Sequence, residues 1–157
     1  MSNLTQPSGT ENKTDRIVIR ELIDSYAHYA DRREAEKQAA LFTEDAVIEV
    51  YQGEPDAHKP VQVLRGRSEL ADGFAGLKKY DVTTHLNAQS IITIDHADRA
   101  TGISYCMAHH LLTEQGKRTL IVMSIRYYDT FSRQNGKWLF AERKLIIDWA
   151  DSRPSTS

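Results

Sequence analysis

The apolar positions of this chain recur at two different periods, and the change from one to the other divides it. From Asp15 to Ala30, residues Ile19, Leu22, Ile23, Tyr26 and Ala30 recur at three- and four-residue steps, the stripe of an amphipathic helix. The stripe breaks at Asp31-Arg32-Arg33, and Glu34–Phe42 then reads as a shorter helix with Ala35, Ala39 and Phe42 inward. Ala46–Tyr51 (AVIEVY) predicts a first strand, and Gly53, Pro55 and Pro60 mark the loop after it. A short strand over Val61–Leu64 leads to Gly66, and Ser68 is placed to cap a third helix reaching about Leu77. From Val82 onward the pattern is one of long strands: Val82–Ile94, Ala100–Thr113, Arg118–Ser132 and Lys137–Trp149. Their connections are hairpin-like, and Asn135-Gly136 is a strong turn signal. Long consecutive antiparallel strands twist and curl. With helices on one face, the expected fold is an α+β barrel: a cone-shaped, strongly curved antiparallel sheet packed on N-terminal helices. Residues 1–13 and 151–157, polar and poor in anything to bury, read as flexible tails on a single domain spanning 14–150.

Composition narrows the partners. The 157 residues are 40% hydrophobic and 27% charged, ordinary for one globular domain. A net charge of −2, with no run of Lys or Arg longer than two, leaves little for counterion release, so nucleic acid is not an expected partner. No stretch approaches the length of apolar chain that spans a bilayer, and no membrane partner is expected. Cys106 stands alone, which excludes an internal disulfide and fits a reduced, cytoplasmic protein. G-x-G-x-x-G, P-loop, G-x-S-x-G and H-E-x-x-H patterns are all absent, so neither a cofactor nor a metal is expected.

A curved sheet closing over helices leaves a lined mouth. Chemistry is therefore sought in polar groups that point into an apolar interior. Asp31, at the end of the first helix, puts a carboxylate where the helix dipole disfavours one. The same residue in D-R-R-E also reads as a cap for the second helix. His85 opens the first long strand, on one side with Asn87 and Gln89 and opposite Leu86, Ala88, Ile92 and Ile94. It is either a structural histidine or a functional one. His109 and His110 face opposite ways; His109 shares a side with Tyr105, Met107 and Leu111, and His110 with Ser104, Cys106 and Ala108, a smaller face with more room for a ligand. Arg126 and Arg143 lie mid-strand; Arg126 reads as solvated, and Arg143 as either solvated or paired inside.

The order of these parts resembles the nuclear-transport-factor-2-like, or SnoaL-like, superfamily: two helices leading to L-F-T-E-D-A (Leu41–Ala46), a strand, Gly66 before a helix, His85 opening a long strand, and N-G-K-W (Asn135–Trp138) before the last strand. The branch it is most similar to contains scytalone dehydratase and hexachlorocyclohexane dehydrochlorinase. That resemblance implies Asp31 and His85 as an acid–base pair, His110 as a second histidine, and Arg143 as an assisting arginine. It departs from the dehydratase at Ala30, with Tyr29 one residue back, at Val50, with Tyr51 beside it, and at Tyr127. The groups that would recognise scytalone are therefore not retained.

In such a site a carboxylate on one imidazole nitrogen fixes the tautomer and stabilises the imidazolium, while the other nitrogen takes a proton next to a carbonyl. Loss of a β-substituent completes an elimination, with His110 or a tyrosine as hydrogen-bond donor. The expected function is a cofactor-independent small-molecule lyase of dehydratase type. Catalytic candidates are Asp31, His85 and His110. Substrate-binding candidates are Tyr29, Tyr51, Phe42, Val47, Met107, Tyr127 and Arg143, around a small, largely apolar or aromatic substrate. The alternatives are an isomerase or cyclase, a non-catalytic binding protein and an assembly subunit. The long strands offer an open face, and a homodimer or homotrimer is expected.

Overall fold

The computed structural model describes residues 9–156. Its elements run α1 (Gly9–Arg32), α2 (Ala35–Ala39), β1 (Phe42–Gln52), β2 (Gln62–Arg65) and α3 (Gly66–Ala75), then a 3₁₀ turn over Gly76–Lys79. The long strands are β3 (Val82–His96), β4 (Arg99–Glu114), β5 (Lys117–Gln134) and β6 (Lys137–Pro154). The predicted stripe on α1 is the buried one, with Ile19, Leu22, Ile23, Tyr26 and Ala30 all turned into the core.

Both ends depart from the sequence reading. Helix α1 already begins at Gly9, so 9–13 are helical; the rest of that expected tail, 1–8, lies outside the described residues. The second turn of the helix is held by Asp15, which accepts a hydrogen bond from Trp138 Nε1 (3.0 Å) and pairs with Arg133 on the β5–β6 hairpin. At the other end β6 continues past Trp149 to Pro154, with Asp151 opposite Val122 and Pro154 opposite Thr119. Ladder hydrogen bonds come from the backbone, so a polar D-S-R-P segment extends a strand whenever its partner is long enough.

Helix α2 is shorter than expected because Phe42 opens β1 instead, where the neighbouring Leu41 carbonyl accepts from the Phe140 amide (2.9 Å). Helix α3 starts at Gly66, whose φ of +78° suits glycine, and not at Ser68. The Arg65 amide donates to the Glu69 carboxylate (2.7 Å), so the side chain of the first helical turn satisfies the backbone donor at the cap position.

The sheet order is β2-β1-β6-β5-β4-β3. Every neighbouring pair is antiparallel except β1 with β6, which run parallel, so the sheet is mixed and not purely antiparallel as expected. These two strands come from opposite ends of the chain, and no hairpin dictates their direction. The sheet is curved and unclosed, with β2 and β3 as its edges, so it is an open cone over the helices rather than a barrel. A bulge between Asn87 and Ser90 shifts the parity of β3. Before it, Thr83 and His85 face inward; after it, Ile92 and Ile94 do, which places them on the side of His85 and not opposite it. Leu86 is left exposed on the outer face. One core cluster joins α1, α3 and the inner sheet face around Ile19, Ile23, Phe42, Leu70, Phe131 and Phe140. Among the described residues, no helix is long and apolar enough to cross a membrane.

Candidate functional site

Helix α1 ends in a Schellman turn. The Glu34 amide donates to the Tyr29 carbonyl (3.0 Å), the Arg33 amide donates to the Ala30 carbonyl (3.1 Å), and Arg33 takes a left-handed φ of +57°. The Arg33 side chain ties this turn to the segment before β3 by donating to the carbonyls of Asp31 and Tyr80, each at 3.0 Å. Asp31 is thereby held in the last helical turn beside the start of β3. Its carboxylate accepts from His85 Nδ1 (2.6 Å), the His85 backbone amide (2.9 Å) and Thr83 Oγ1 (3.0 Å). The residue before α2 is Glu34, which makes no side-chain cap bond, so the capping reading of Asp31 does not hold. Burial alone would raise the Asp31 carboxyl, but the hydrogen bonds and charge of His85, with Thr83, outweigh it and hold the pKa below its usual value.

His110 comes from the neighbouring strand, opposite Thr83, with its ring 5.4 Å from that of His85 and 4.4 Å from that of Tyr80. The choice between His109 and His110 falls to His110, which is 4% exposed and lines the cavity described below. Neither of its ring nitrogens has a hydrogen-bond partner among the described residues. Burial, with the nearby His85, pushes its pKa down to about 4, so it is neutral at pH 7.

Both histidines line a cavity of about 250 Å³ between the helices and the inner sheet face. Its wall is otherwise mainly apolar, including Ile48, Leu64, Phe74, Ile125, Leu145 and Ile147. Three larger hollows, of about 390, 530 and 370 Å³, involve neither histidine: one lies over Ile91, Ile103, Tyr128 and Lys144, one between α1 and β3, and one beside Thr43, Asp98 and Ser132. Among the described residues, no group of three or more His, Cys, Asp or Glu side chains could hold a metal.

Of the expected binding residues, only Tyr127 lines the cavity. Tyr29 lies half-buried beneath the Lys37 ammonium, 6.0 Å from the ring centre. Val47 alternates with the cavity residues Ile48 and Val50 and so faces outward. Tyr51 also turns away, donating to Glu49 (2.7 Å), and Met107 shares the outer side of β4. Phe42 is core, stacked on Phe140 at 4.8 Å. Arg143 is fully buried but committed elsewhere. It holds Asp129 with two bonds (2.7 and 2.8 Å) inside a box of Tyr26, Tyr127 and Phe140 rings. Burial would lower its pKa, but the charge and hydrogen bonds of Asp129 raise it, so the guanidinium stays charged. Arg126, expected to be solvated, is largely covered: its side chain is 14% exposed and bound to Asp148, Glu54 and Tyr128. Burial pushes the Cys106 thiol up to about 11, which leaves it protonated at neutral pH. The sequence reading placed Tyr26 in the helix stripe without assigning it to the site and missed Gln38; both are buried and both stand in the cavity wall. The signal for Gln38 was available, since it shares an inward face with Ala35 and Phe42 by three- and four-residue spacing.

Comparison with known proteins agrees with this fold. No curated protein sequence matches the chain significantly. A solved structure of a candidate scytalone dehydratase from Novosphingobium aromaticivorans DSM 12444 superposes with a TM-score of 0.79 at 23% identity, covering 90% of this chain and 89% of that one. The hexachlorocyclohexane dehydrochlorinase LinA-type3 from Novosphingobium barchaimii LL02 gives 0.76 at 17% identity, covering 96% of each chain. A Mycobacterium tuberculosis protein of unknown function gives 0.74 at 25% identity, covering 90% of this chain and 76% of that one. The SnoaL-like domain profile matches residues 11–144, so the chain belongs to the SnoaL-like domain family.

Proposed function

We propose that the protein is a cofactor-independent lyase that removes a proton next to a carbonyl and expels a β-substituent. The observation that carries this reading is the 2.6 Å contact between Asp31 and His85 Nδ1, with the His85 ring in the wall of an apolar cavity. With Nδ1 held, Nε2 is the nitrogen left to act as base. The developing imidazolium is stabilised by the Asp31 carboxylate, and the low-dielectric wall strengthens that attraction. The proton moves from the substrate carbon to His85 Nε2, and the C–H electron pair forms the enolate. The pair then forms the new C=C bond as the β-substituent leaves, as halide or as hydroxide that takes up a proton. Neutral His110 is suited to hydrogen-bond donation toward the enolate oxygen, a role that needs no positive charge. The structural similarity to a candidate scytalone dehydratase and a dehydrochlorinase supports elimination over other uses of the same base.

Indanone and its β-hydroxy and β-chloro derivatives provide the test. The enzyme should catalyse deuterium uptake at the carbon next to the carbonyl in D₂O and the appearance of the conjugated enone. Substituting His85→Gln should abolish both with the fold intact, and Asp31→Asn should slow both by about 10²–10⁴-fold. No acceleration by the native protein, or full activity in His85→Gln, refutes the proposal.

A further inference from the structure

Gln38 is a polar cavity residue that the proton transfer does not use. It is 2% exposed and lines the same cavity as the two histidines. Its backbone serves α2, the amide donating to the Glu34 carbonyl (2.9 Å) and the carbonyl accepting from the Leu41 amide (3.2 Å). Its side-chain amide makes no hydrogen bond to any described residue. A buried amide has two donors and an acceptor to satisfy, and leaving them unmet disfavours the folded state. Packing alone would favour leucine at this inward position of α2. The wall contributed by β1, β6 and α3 (Ile48, Val50, Phe74, Leu145 and Ile147) has no polar side chain to offer. Nor does the cavity hold a free ionic group, since Asp31 is bound to His85 and Arg143 to Asp129. A ligand here is therefore best neutral, and the volume of about 250 Å³ suits a compact ring system.

We infer that Gln38 is a specificity-determining residue whose amide takes a neutral oxygen substituent of the substrate, separate from the carbonyl at the reacting carbon. The substrate is then a compact ring ketone bearing a second oxygen, such as a hydroxyl. This rests on the cavity being the ligand site proposed above, but its test is separable from that of the base. Calorimetric titration would compare unsubstituted indanone with its ring-hydroxylated isomers. At least one hydroxylated isomer should bind the native protein roughly five- to tenfold more tightly than indanone, the value of one hydrogen bond. Substituting Gln38→Leu should remove that preference, whereas His85→Gln should keep it while losing deuterium exchange. Since the leucine replaces a buried amide that makes no hydrogen bond to a described residue, the melting temperature of Gln38→Leu should equal or exceed that of the native protein. Gln38→Met is the second variant if leucine packs poorly. A preference that survives both substitutions, no preference in the native protein, or no binding of any probe overturns the assignment. Failure of exchange alone overturns only the base.

Discussion

His110 ties the candidate site to stability through its protonation. Its folded pKa of about 4 lies below the unfolded value of 6.5, so between these pH values the unfolded chain binds the extra proton. Stability should accordingly be full above pH 6.5 and fall as the pH drops toward 4, by up to about 3 kcal/mol for a shift of this size. The lowered Asp31 pKa acts in the same direction at more acid pH, as the pH falls through the usual carboxylate range. Urea unfolding at pH 7 and pH 4.5 checks the histidine contribution; a native protein as stable at 4.5 as at 7, or His110→Phe with an unchanged pH slope, contradicts it. Arg143 and Asp129 make a different prediction. Both side chains are fully buried, so Asp129→Asn leaves the guanidinium charge without its partner and should cost about 3–5 kcal/mol in chemical denaturation. A double change to apolar residues of similar volume should recover much of that loss. The positions of Asp31 and His85 were legible in the sequence because a helix ends and a strand opens there, and that of His110 because it shares a face of β4 with the small residues Ser104, Cys106 and Ala108. The roles of Arg143 and Tyr51 were not, because they depend on Asp129 and Glu49 taking up their polar groups. Composition shows that a buried arginine is possible; it does not show which carboxylate claims it.

The hairpin turns show how element boundaries follow from local chemistry. At Asn135-Gly136 both residues have positive φ, +52° and +76°, the conformation asparagine and glycine tolerate best. The β4–β5 turn has the same shape, with φ of +50° at Gln115 and +74° at Gly116, but glutamine lacks the tolerance of asparagine there. Gln115→Asn should therefore stabilise the fold by about 0.5–1 kcal/mol, and Gly116→Val should destabilise it by at least as much. Equilibrium denaturation of the two variants decides this, and a neutral Gln115→Asn would show that the turn carries no strain. These turns explain why the four long strands were readable to within a few residues at their hairpin ends. The pairing of β1 with β6 was not readable, since nothing local distinguishes a parallel neighbour drawn from the other end of the chain. Nor was the β3 bulge, which moves Ile92 and Ile94 to the cavity side while leaving Leu86 and Ile91 in solvent.

At the scale of the whole molecule, those exposed side chains are the reason to expect association. On the outer sheet face, Ile91 lies directly opposite Ile103, which lies opposite Tyr128. A second row runs from Leu86 through Met107 and Ser124 to Trp149. Leu86, Ile91 and Trp149 are each more than half exposed, and Ile103 and Tyr105 add to the same face. Scattered exposed apolar residues are normal, but cross-strand neighbours sharing one face form a patch of the kind that covers itself by association. A second or third copy of this chain can cover it with the same rows, because an isologous or cyclic interface uses one surface repeatedly. Sedimentation velocity at micromolar concentration should therefore give a homodimer or homotrimer. Replacing both Ile91 and Ile103 by lysine should yield a folded monomer with the cavity unchanged, since both side chains point away from it. A native protein that sediments as a monomer contradicts the self-association. A double variant that stays oligomeric shifts the interface to another surface, for which the groove between α1 and the β3 edge, lined by Ile17 and Arg20, is the next candidate.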